Sequence, residues 1–122
     1  MSVHRCLLGF VPISALSLAV VACGASTVRT GPDPVPFSEW CSIVCEATSD
    51  RIADTCGARI MDASVCAETC TQGRGETKSG RTYDEANACV SYIDSLACEE
   101  IGAAAGAAAL GQGEYAQRCT AR

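Results

Sequence analysis

Apolar positions after residue 37 recur at helical spacing and predict short amphipathic helices. The first predicted helix begins at Ser38, a candidate N-cap behind Pro36 and Phe37. It ends before Gly57, because glycine often follows a helix C-terminus. At 100° per residue its two faces differ in character. The inner face holds Cys41, Cys45, Thr48, Ile52 and Cys56, and the outer face holds Glu46, Asp50 and Asp54.

A second, shorter helix is predicted after a turn. It begins at Asp62 or Ser64, runs to Gln72 and is followed by Gly73. The next residues, 73–81, are rich in polar side chains and glycine and predict a loop. The positions expected on one face of the second helix are Val65, Cys66, Thr69 and Cys70.

The third helix has the clearest start signal in the chain. Thr82 and Glu85 match a capping box, in which each side chain accepts a hydrogen bond from the other residue's backbone N–H. No segment around these helices shows the alternation typical of a strand. The positions expected to face inward are Ala86, Cys89, Val90, Ile93 and Leu96.

The helical signal weakens after Cys98. Residues 102–111 contain six alanines, three glycines and Leu110, so that alanine favours a helix and glycine opposes it. We interpret this segment as a small-residue spacer that packs a last helix loosely; alternatively, Gly102 and Gly106 let two helices approach closely. The predicted fold class is all-α, a small disulfide-stapled bundle of three to four short helices.

The N-terminal segment predicts export. Residues 1–22 begin with His4 and Arg5 and continue as an uncharged apolar run, which is typical of a secretory signal peptide. The run is shorter than the roughly 20 residues that a membrane-spanning helix needs. An uncleaved anchor is the alternative interpretation.

The end of this run, Val20-Val21-Ala22-Cys23, resembles the lipobox of bacterial lipoproteins. The resemblance implies cleavage before Cys23, a diacylglycerol on its sulfur and an acyl chain such as palmitate on its new amino group. More than one chain gives stable membrane binding. Ordinary signal cleavage nearby, with no lipid, is the alternative. No acidic residue follows Cys23 directly, and by the same resemblance this favours the outer membrane.

A tether is predicted between the anchor and the folded domain. Residues 23–37 are rich in glycine, alanine, serine, threonine and proline, and Pro32, Pro34 and Pro36 alternate with other residues. Such a composition favours extended backbone and disfavours helix. The predicted organisation is therefore a lipoprotein signal peptide over 1–22, a lipid-anchored tether over 23–37 and a cysteine-rich helical domain over 38–122.

The mature domain is too small to be stabilised strongly by a hydrophobic core alone. An even number of cysteines in an exported domain of this size predicts a disulfide framework formed in an oxidising compartment. The count of eight does not depend on the lipobox. The cysteines are Cys41, Cys45, Cys56, Cys66, Cys70, Cys89, Cys98 and Cys119.

Two C-x-x-x-C pairs suggest part of the connectivity. Cysteines at i and i+4 of a helix have Cβ atoms roughly 6 Å apart, too far for a disulfide within the pair. Two antiparallel helices would join inner to inner and outer to outer positions. This predicts Cys45–Cys66 and Cys41–Cys70, although Cys56 could compete, and the provisional assignment of the rest is Cys98–Cys119 and Cys56–Cys89.

The twin C-x-x-x-C arrangement between residues 41 and 70 resembles the helical hairpins of the small mitochondrial inner-membrane translocase chaperones. We interpret this likeness as convergence on the same covalent link, with no shared function. The lipobox, the proline-rich tether and the scattered helical cysteines together resemble the small cysteine-rich bacterial lipoproteins of myxobacterial type. That resemblance implies an envelope location and no particular activity.

Several function classes are disfavoured by the composition. The formal net charge is −5 without basic blocks, which argues against a nucleic-acid partner. The only histidine, His4, lies in the signal peptide, so imidazole-dependent catalysis is not expected. A small enzyme that uses carboxylates alone is a second alternative, with Glu99 and Glu100 or Asp84 and Glu85 as its acids. Adjacent residues point about 100° apart on a helix, so these acids are instead expected to be solvated near helix N-termini. We expect no catalytic residue and no cofactor.

A metal site is the alternative use of the cysteines. Zinc sites usually use C-x₂-C spacing with histidine and occur in reducing compartments, so disulfides are favoured here and no metal ligand is assigned. If the domain has a contact surface, the basic residues Arg74, Lys78 and Arg81 are candidates for an acidic envelope polymer or protein partner; an exposed charged loop is the simpler interpretation. Trp40 and Tyr115 are expected to pack in the core.

Overall fold

The computed structural model describes residues 29–74 and 77–122. The predicted signal peptide over 1–22 and the predicted lipidation site Cys23 lie outside these residues. The all-α class with disulfide links between helices is confirmed, with five helices in the described part instead of three to four. The elements are β1 (Pro34–Pro36), α1 (Phe37–Cys56), α2 (Ala63–Thr71), β2 (Lys78–Thr82), α3 (Tyr83–Asp94), α4 (Cys98–Ala109) and α5 (Gly113–Cys119).

Helix α1 ends where the sequence predicts and begins earlier. Gly57 adopts a left-handed conformation with φ of +74°, which ends the helix at Cys56. The expected N-cap at Ser38 is wrong, since the helix begins at Phe37 without a side-chain cap. The backbone N–H of Phe37 instead donates to the carbonyl of Thr77 at 2.8 Å. A tertiary contact thus satisfies a group that a capping side chain would otherwise satisfy.

The predicted tether and the predicted loop pair with each other, which corrects both assignments. β1 and β2 form a two-stranded antiparallel sheet in which Pro34 faces Thr82 and Pro36 faces Lys78. Val35 between the two prolines is fully buried. Prolines are tolerated because β1 is an edge strand, where a missing N–H is not needed. The folded domain therefore begins before residue 38.

The core lies between the sheet, α1, α3 and the C-terminal segment. Trp40 is 1% exposed, and its indole N–H donates to the carbonyl of Cys119 at 3.1 Å. The capping box of Thr82 and Glu85 is confirmed and starts α3 at Tyr83. Buried residues from all these elements form one cluster, comprising Val35, Trp40, Tyr83, Ala86, Cys89, Ile93 and Cys119.

Disulfides link the helices to one another. Both pairs predicted from the C-x-x-x-C spacing are present, Cys41–Cys70 and Cys45–Cys66, and they join α1 to α2. The other two predicted pairs are wrong. The structure has Cys56–Cys98 and Cys89–Cys119. The end of α1 lies beside the start of α4, and α5 returns the chain to α3, so Cys98 and Cys119 are held at different places.

The alanine-rich segment forms a regular helix. Helix α4 includes Gly102 and Gly106, and no described atom from another part of the chain lies within 4 Å of the position that a Cβ on either glycine would take, so neither allows a close approach between the described helices. Ile101 is the only buried residue of α4. Within residues 29–74 and 77–122, no helix is both long and apolar enough to cross a membrane.

Candidate binding groove

A shallow groove of about 260 Å³ lies beside the N-terminal half of α1. Three parts of the chain form its walls: α1, the end of α2 with the residues after it, and the segment that follows α5. Its lining is mostly apolar, with one arginine. The lining residues are Phe37, Trp40, Val44, Cys45, Cys70, Arg74, Cys119, Thr120 and Ala121.

The floor of the groove is rigid because core packing and covalent bonds hold it. Trp40 and Phe37 are 1% and 5% exposed, so they are available only at their edges. The disulfides of Cys45 and Cys70 fix α2 against α1 beside them. The predicted core role of Trp40 agrees with this burial, and its indole N–H is already used within the fold.

The groove has a basic rim. The guanidinium carbon of Arg74 lies 5.0 Å from the centroid of the Phe37 ring, which places a cation over an aromatic face. Lys78 is exposed on β2 and faces Pro36, the residue before Phe37. Arg74 and Lys78, two of the three basic residues singled out in the sequence, are thus both exposed near Phe37.

Arg81, the third of these residues, is only 6% exposed and has a structural role, which corrects both interpretations of it, as part of an exposed charged loop and as part of a contact surface. Its guanidinium donates to the carbonyls of Gln117 and Thr120 and lies 3.4 Å from a carboxylate oxygen of Glu85. The buried cation thereby joins β2 to the C-terminal segment. Nothing in the sequence distinguishes it from its exposed neighbours.

The chain before β1 is fixed to the start of α3. The Gly31 N–H donates to the Asp84 carboxylate at 3.0 Å, and the Asp84 N–H donates to the Gly31 carbonyl at 3.0 Å. The Tyr83 N–H donates to the carbonyl of Asp33 at 3.1 Å, and the guanidinium of Arg29 lies 5.2 Å from the Tyr83 ring centroid. Residues 29–33 therefore belong to the folded unit.

The last described residue, Arg122, contacts strand β2. The backbone N–H of Arg122 donates to the carbonyl of Ser79 at 2.7 Å. Gly80 has a φ of +72°, and a Cβ there would lie 2.9 Å from the Cβ of Arg122. Glycine is required at this position for both reasons. The sheet, the groove and both ends of the described chain meet at this end of the molecule, which we call the sheet end.

One member of each acidic pair considered in the sequence, Glu85 or Glu100, accepts a hydrogen bond at a helix start. Glu85 accepts from the Thr82 N–H at 2.9 Å, and this hydrogen bond, aided by the nearby arginines, lowers its pKa. Asp84 accepts from Gly31 instead, so the two neighbouring carboxylates point to different partners. Glu100 accepts from the Ala97 N–H at 3.1 Å. This geometry offers no pair of acids that meet on one substrate atom.

Two tyrosines pack against each other away from the groove. The rings of Tyr92 and Tyr115 meet edge to face with centroids 6.4 Å apart. The Tyr115 hydroxyl lies 3.1 Å from the Thr48 hydroxyl, and burial raises the pKa of Tyr115. The expected packing role of Tyr115 is consistent with these contacts.

A larger recess of about 440 Å³ lies in the turn between α1 and α2. Six consecutive residues, 59–64, bound it, so it is the concavity of a single loop. Asp62 is its acidic residue, and its carboxylate accepts from the Ser64 hydroxyl and from the backbone N–H groups of Ser64 and Val65. These hydrogen bonds lower the pKa of Asp62, the side chain that caps α2.

The described residues offer an apolar groove with one arginine in its lining. All eight cysteines among them are in disulfides, and they include no cluster of metal-ligating side chains. The groove is smaller than the roughly 300–1,000 Å³ typical of small-molecule pockets. It suits one apolar group next to an anion that Arg74 can contact. No family model matches the chain, and no curated protein or solved structure shows significant similarity to it.

Proposed function

We propose that this chain is an exported, lipid-anchored and disulfide-stabilised protein of the bacterial cell envelope, with a binding or structural role and no catalytic activity of its own. The observation that carries the proposal is the pairing of all eight cysteines after Cys23 into four disulfides. Disulfides persist in oxidising compartments, which a signal peptide would reach.

The lipobox-like residues 20–23 support the anchor. The eight later cysteines are paired with one another, so none of them is a partner for Cys23, which suits a thiol used for lipid attachment. The basic-rimmed groove supports a binding role, because its lining offers an apolar surface and a cation without any paired acid and base. The proposed location is the periplasmic side of the envelope or the cell surface.

Intact mass spectrometry of the protein from membrane fractions tests this proposal. We expect a mass that starts at Cys23 and includes acyl chains, and eight alkylations that occur only after reduction. An unlipidated chain would overturn the anchor. Eight thiols that react without reductant would overturn the disulfides and favour the alternative of a cysteine-rich metal-binding module.

A pair of cysteine variants makes the anchor test specific. Cys23→Ala removes the sulfur that would carry the lipid and should leave the protein unprocessed and without diacylglycerol. Cys6→Ala changes the other cysteine of the N-terminal segment and should leave lipidation intact. Equal masses of lipid on both variants would contradict the assignment of Cys23.

A further inference from the structure

The distance between the proposed anchor and the folded domain is short. The sequence predicts a tether of 15 residues, yet the chain is already fixed by Gly31 and Asp33. Five residues lie between Cys23 and Arg29, which makes six steps along the chain, and a fully extended chain spans at most about 3.3–3.6 Å per step. Since this step rests on the proposed anchor at Cys23, the sheet end then lies within about 20 Å of the lipid surface.

Charge is distributed unevenly between the two ends of the molecule. Among the described residues the sheet end carries five cations, Arg29, Arg74, Lys78, Arg81 and Arg122, and four acids, Asp33, Glu39, Asp84 and Glu85. A fifth acid, Glu76, lies in the sequence between Arg74 and Lys78, so the charges of this end balance. The opposite end comprises the last half of α1, the turn after it, the end of α3 and the start of α4. It carries two cations, Arg51 and Arg59, and six acids, Asp50, Asp54, Asp62, Asp94, Glu99 and Glu100.

These two ends are far apart on the scale of electrostatic screening. Helix α1 has 20 residues and a rise of 1.5 Å per residue, so about 30 Å separates Phe37 from Cys56. The Debye length at physiological ionic strength is about 8 Å. A charged surface near the sheet end therefore acts mainly on the charges of that end, which balance. If the domain were rotated, the same surface would meet the net negative charge of the opposite end instead.

Four of the five cations at the sheet end are accessible, and Arg81 is buried. The side chains of Arg29 and Arg122 are 67% and 65% exposed, and Arg74 and Lys78 are also exposed. Arg29 and Arg122 already contact carboxylates, whereas among the described residues Arg74 contacts an aromatic ring. Guanidinium and ammonium groups bind phosphate oxygens well.

We propose that the sheet end is a lipid-contacting surface, which faces the membrane that holds the anchor and binds the phosphates of anionic phospholipids through Arg74, Lys78 and Arg29. The acidic end then faces away from the bilayer and is presented to the surrounding compartment. The short link keeps the sheet end close to the bilayer. The difference in charge between the two ends favours the orientation in which the sheet end faces the bilayer. The groove opens toward the membrane at its Arg74 rim.

The single lysine of the chain provides a direct test. Lys78 lies on the proposed surface, so its acylation by a membrane-impermeant succinimidyl ester reports whether the sheet end is covered. The lipidated full-length protein is placed in nanodiscs of phosphatidylcholine with and without phosphatidylglycerol, and in detergent micelles. Peptide mapping gives the acylation rate at the lysine.

A matched variant moves that lysine to the opposite end. Lys78→Arg combined with Arg59→Lys keeps the charge and places the reporter in the turn after α1, where Arg59 is exposed. We expect severalfold slower acylation of Lys78 in anionic nanodiscs than in micelles, and an unchanged rate at position 59. Equal rates at the two positions, or protection of position 59 alone, would overturn the orientation.

Two charge variants test the phosphate contact. Arg74→Gln should reduce the protection of Lys78 in anionic nanodiscs about fivefold, the equivalent of about 1 kcal/mol for one cation at an anionic surface. Arg59→Gln removes a cation at the other end and should leave the protection unchanged. Equal protection in wild type and Arg74→Gln, or protection that does not depend on phosphatidylglycerol, would overturn the phosphate contact.

Failure of the anchor is distinguishable from failure of the orientation. A protein without lipid would not elute with the nanodiscs at all, and this result would overturn the proposed function. A protein that elutes with the nanodiscs but reacts equally at positions 78 and 59 keeps its anchor and loses only the proposed orientation. Capture of a soluble protein through the groove with Lys78 fully reactive would likewise exclude a membrane-facing surface.

Discussion

Helices α3 and α2 lie in one small domain and are held by different means. Helix α3 buries Tyr83, Ala86, Cys89 and Ile93, and it has a capping box at its start. Helix α2 buries no residue, and in its nine residues it carries two cysteines that are both bonded to α1. A helix this short is not stable alone in water. Covalent links in α2 therefore replace the apolar contacts that hold α3.

Helix α4 is intermediate between α2 and α3 in how it is held, because it has both a buried apolar side chain and a disulfide. It buries Ile101 and is joined to the end of α1 through Cys98. Its remaining surface is largely alanine and glycine, and Leu110 at its end is 75% exposed. The domain is thus a packed centre of the sheet, α1, α3 and α5, with α2 and α4 attached at the edges. The comparison teaches that in this chain the local cause of stability changes from one helix to the next.

Removal of both cross-links to α2 should have the largest effect. Cys66→Ala with Cys70→Ala leaves the buried α1 cysteines in place as thiols. We expect a fall in the free energy of unfolding of about 3 kcal/mol for each disulfide, because each constrains the unfolded chain. Amide hydrogen exchange should show that residues 63–71 lose protection while α3 keeps it. Persistent protection of α2 would mean that noncovalent packing holds it.

Truncation of an apolar side chain should have the next largest effect, and it should lower the free energy of unfolding much more in α3 than in α2. Ile93→Ala removes a fully buried side chain of α3 and should cost about 3 kcal/mol, measured by urea unfolding. Val65→Ala is the matched variant on α2, where the side chain is 58% exposed, and should change the free energy of unfolding by less than about 0.5 kcal/mol. Similar losses for both variants would contradict the proposed difference between the helices.

Removal of the N-cap side chain should affect global stability at the start of α3 and only local stability at the start of α2. Thr82→Ala removes the side chain that accepts from the Glu85 N–H, and should lower the global free energy of unfolding by about 1 kcal/mol. Asp62→Ala removes the cap of α2 and should increase exchange of the first amides of α2. The global transition should change little in that variant, because the disulfides keep α2 in place. A larger global loss for Asp62→Ala would reverse the comparison.

The smallest predicted effect concerns how the free energy of unfolding falls at acid pH when Glu85 or Asp62 is replaced. The backbone hydrogen bond from Thr82 is the main cause of the lowered pKa of Glu85. A carboxyl whose pKa is lower in the folded state stabilises the fold above its unfolded pKa, and this stabilisation is lost as pH falls through the folded pKa. Glu85→Gln should therefore flatten the decline of the free energy of unfolding below about pH 5.

Asp62→Asn provides the comparison for this pH effect. The Ser64 hydroxyl is the main cause of the lowered pKa of Asp62, and this side chain caps α2. Loss of its charge should change the acid dependence of α2 amide exchange and leave the global unfolding profile close to wild type. An unchanged acid profile in Glu85→Gln would show that its ionisation is not coupled to global stability.

Prediction from the sequence succeeded where a local rule was sufficient. Helical periodicity, the stop at Gly57 and the capping box at Thr82 depend on neighbouring residues. Two disulfides between α1 and α2 followed from i, i+4 geometry and an antiparallel hairpin. The remaining two pairs depend on how α4 and α5 cross the core, which no local spacing encodes.

The sheet end could not be predicted from sequence for a physical reason. β1 has three residues and two prolines, and β2 contains lysine, glycine and arginine, so neither carries the apolar alternation of a strand. Their pairing joins residues more than 40 positions apart. Burial of Arg81 depends on carbonyls of the C-terminal segment that only the fold brings near it.

The amino-acid sequence by itself determined the helices and the even set of cysteines after residue 23, and it predicts an export signal, because each depends on a short stretch of neighbouring residues. Tertiary structure alone decided which cysteines meet in the second two disulfides and which basic side chains remain exposed. It also decided that the chain is fixed to the domain from residue 29 onward. These features arise from contacts between distant segments, whose free energy depends on the whole packed arrangement.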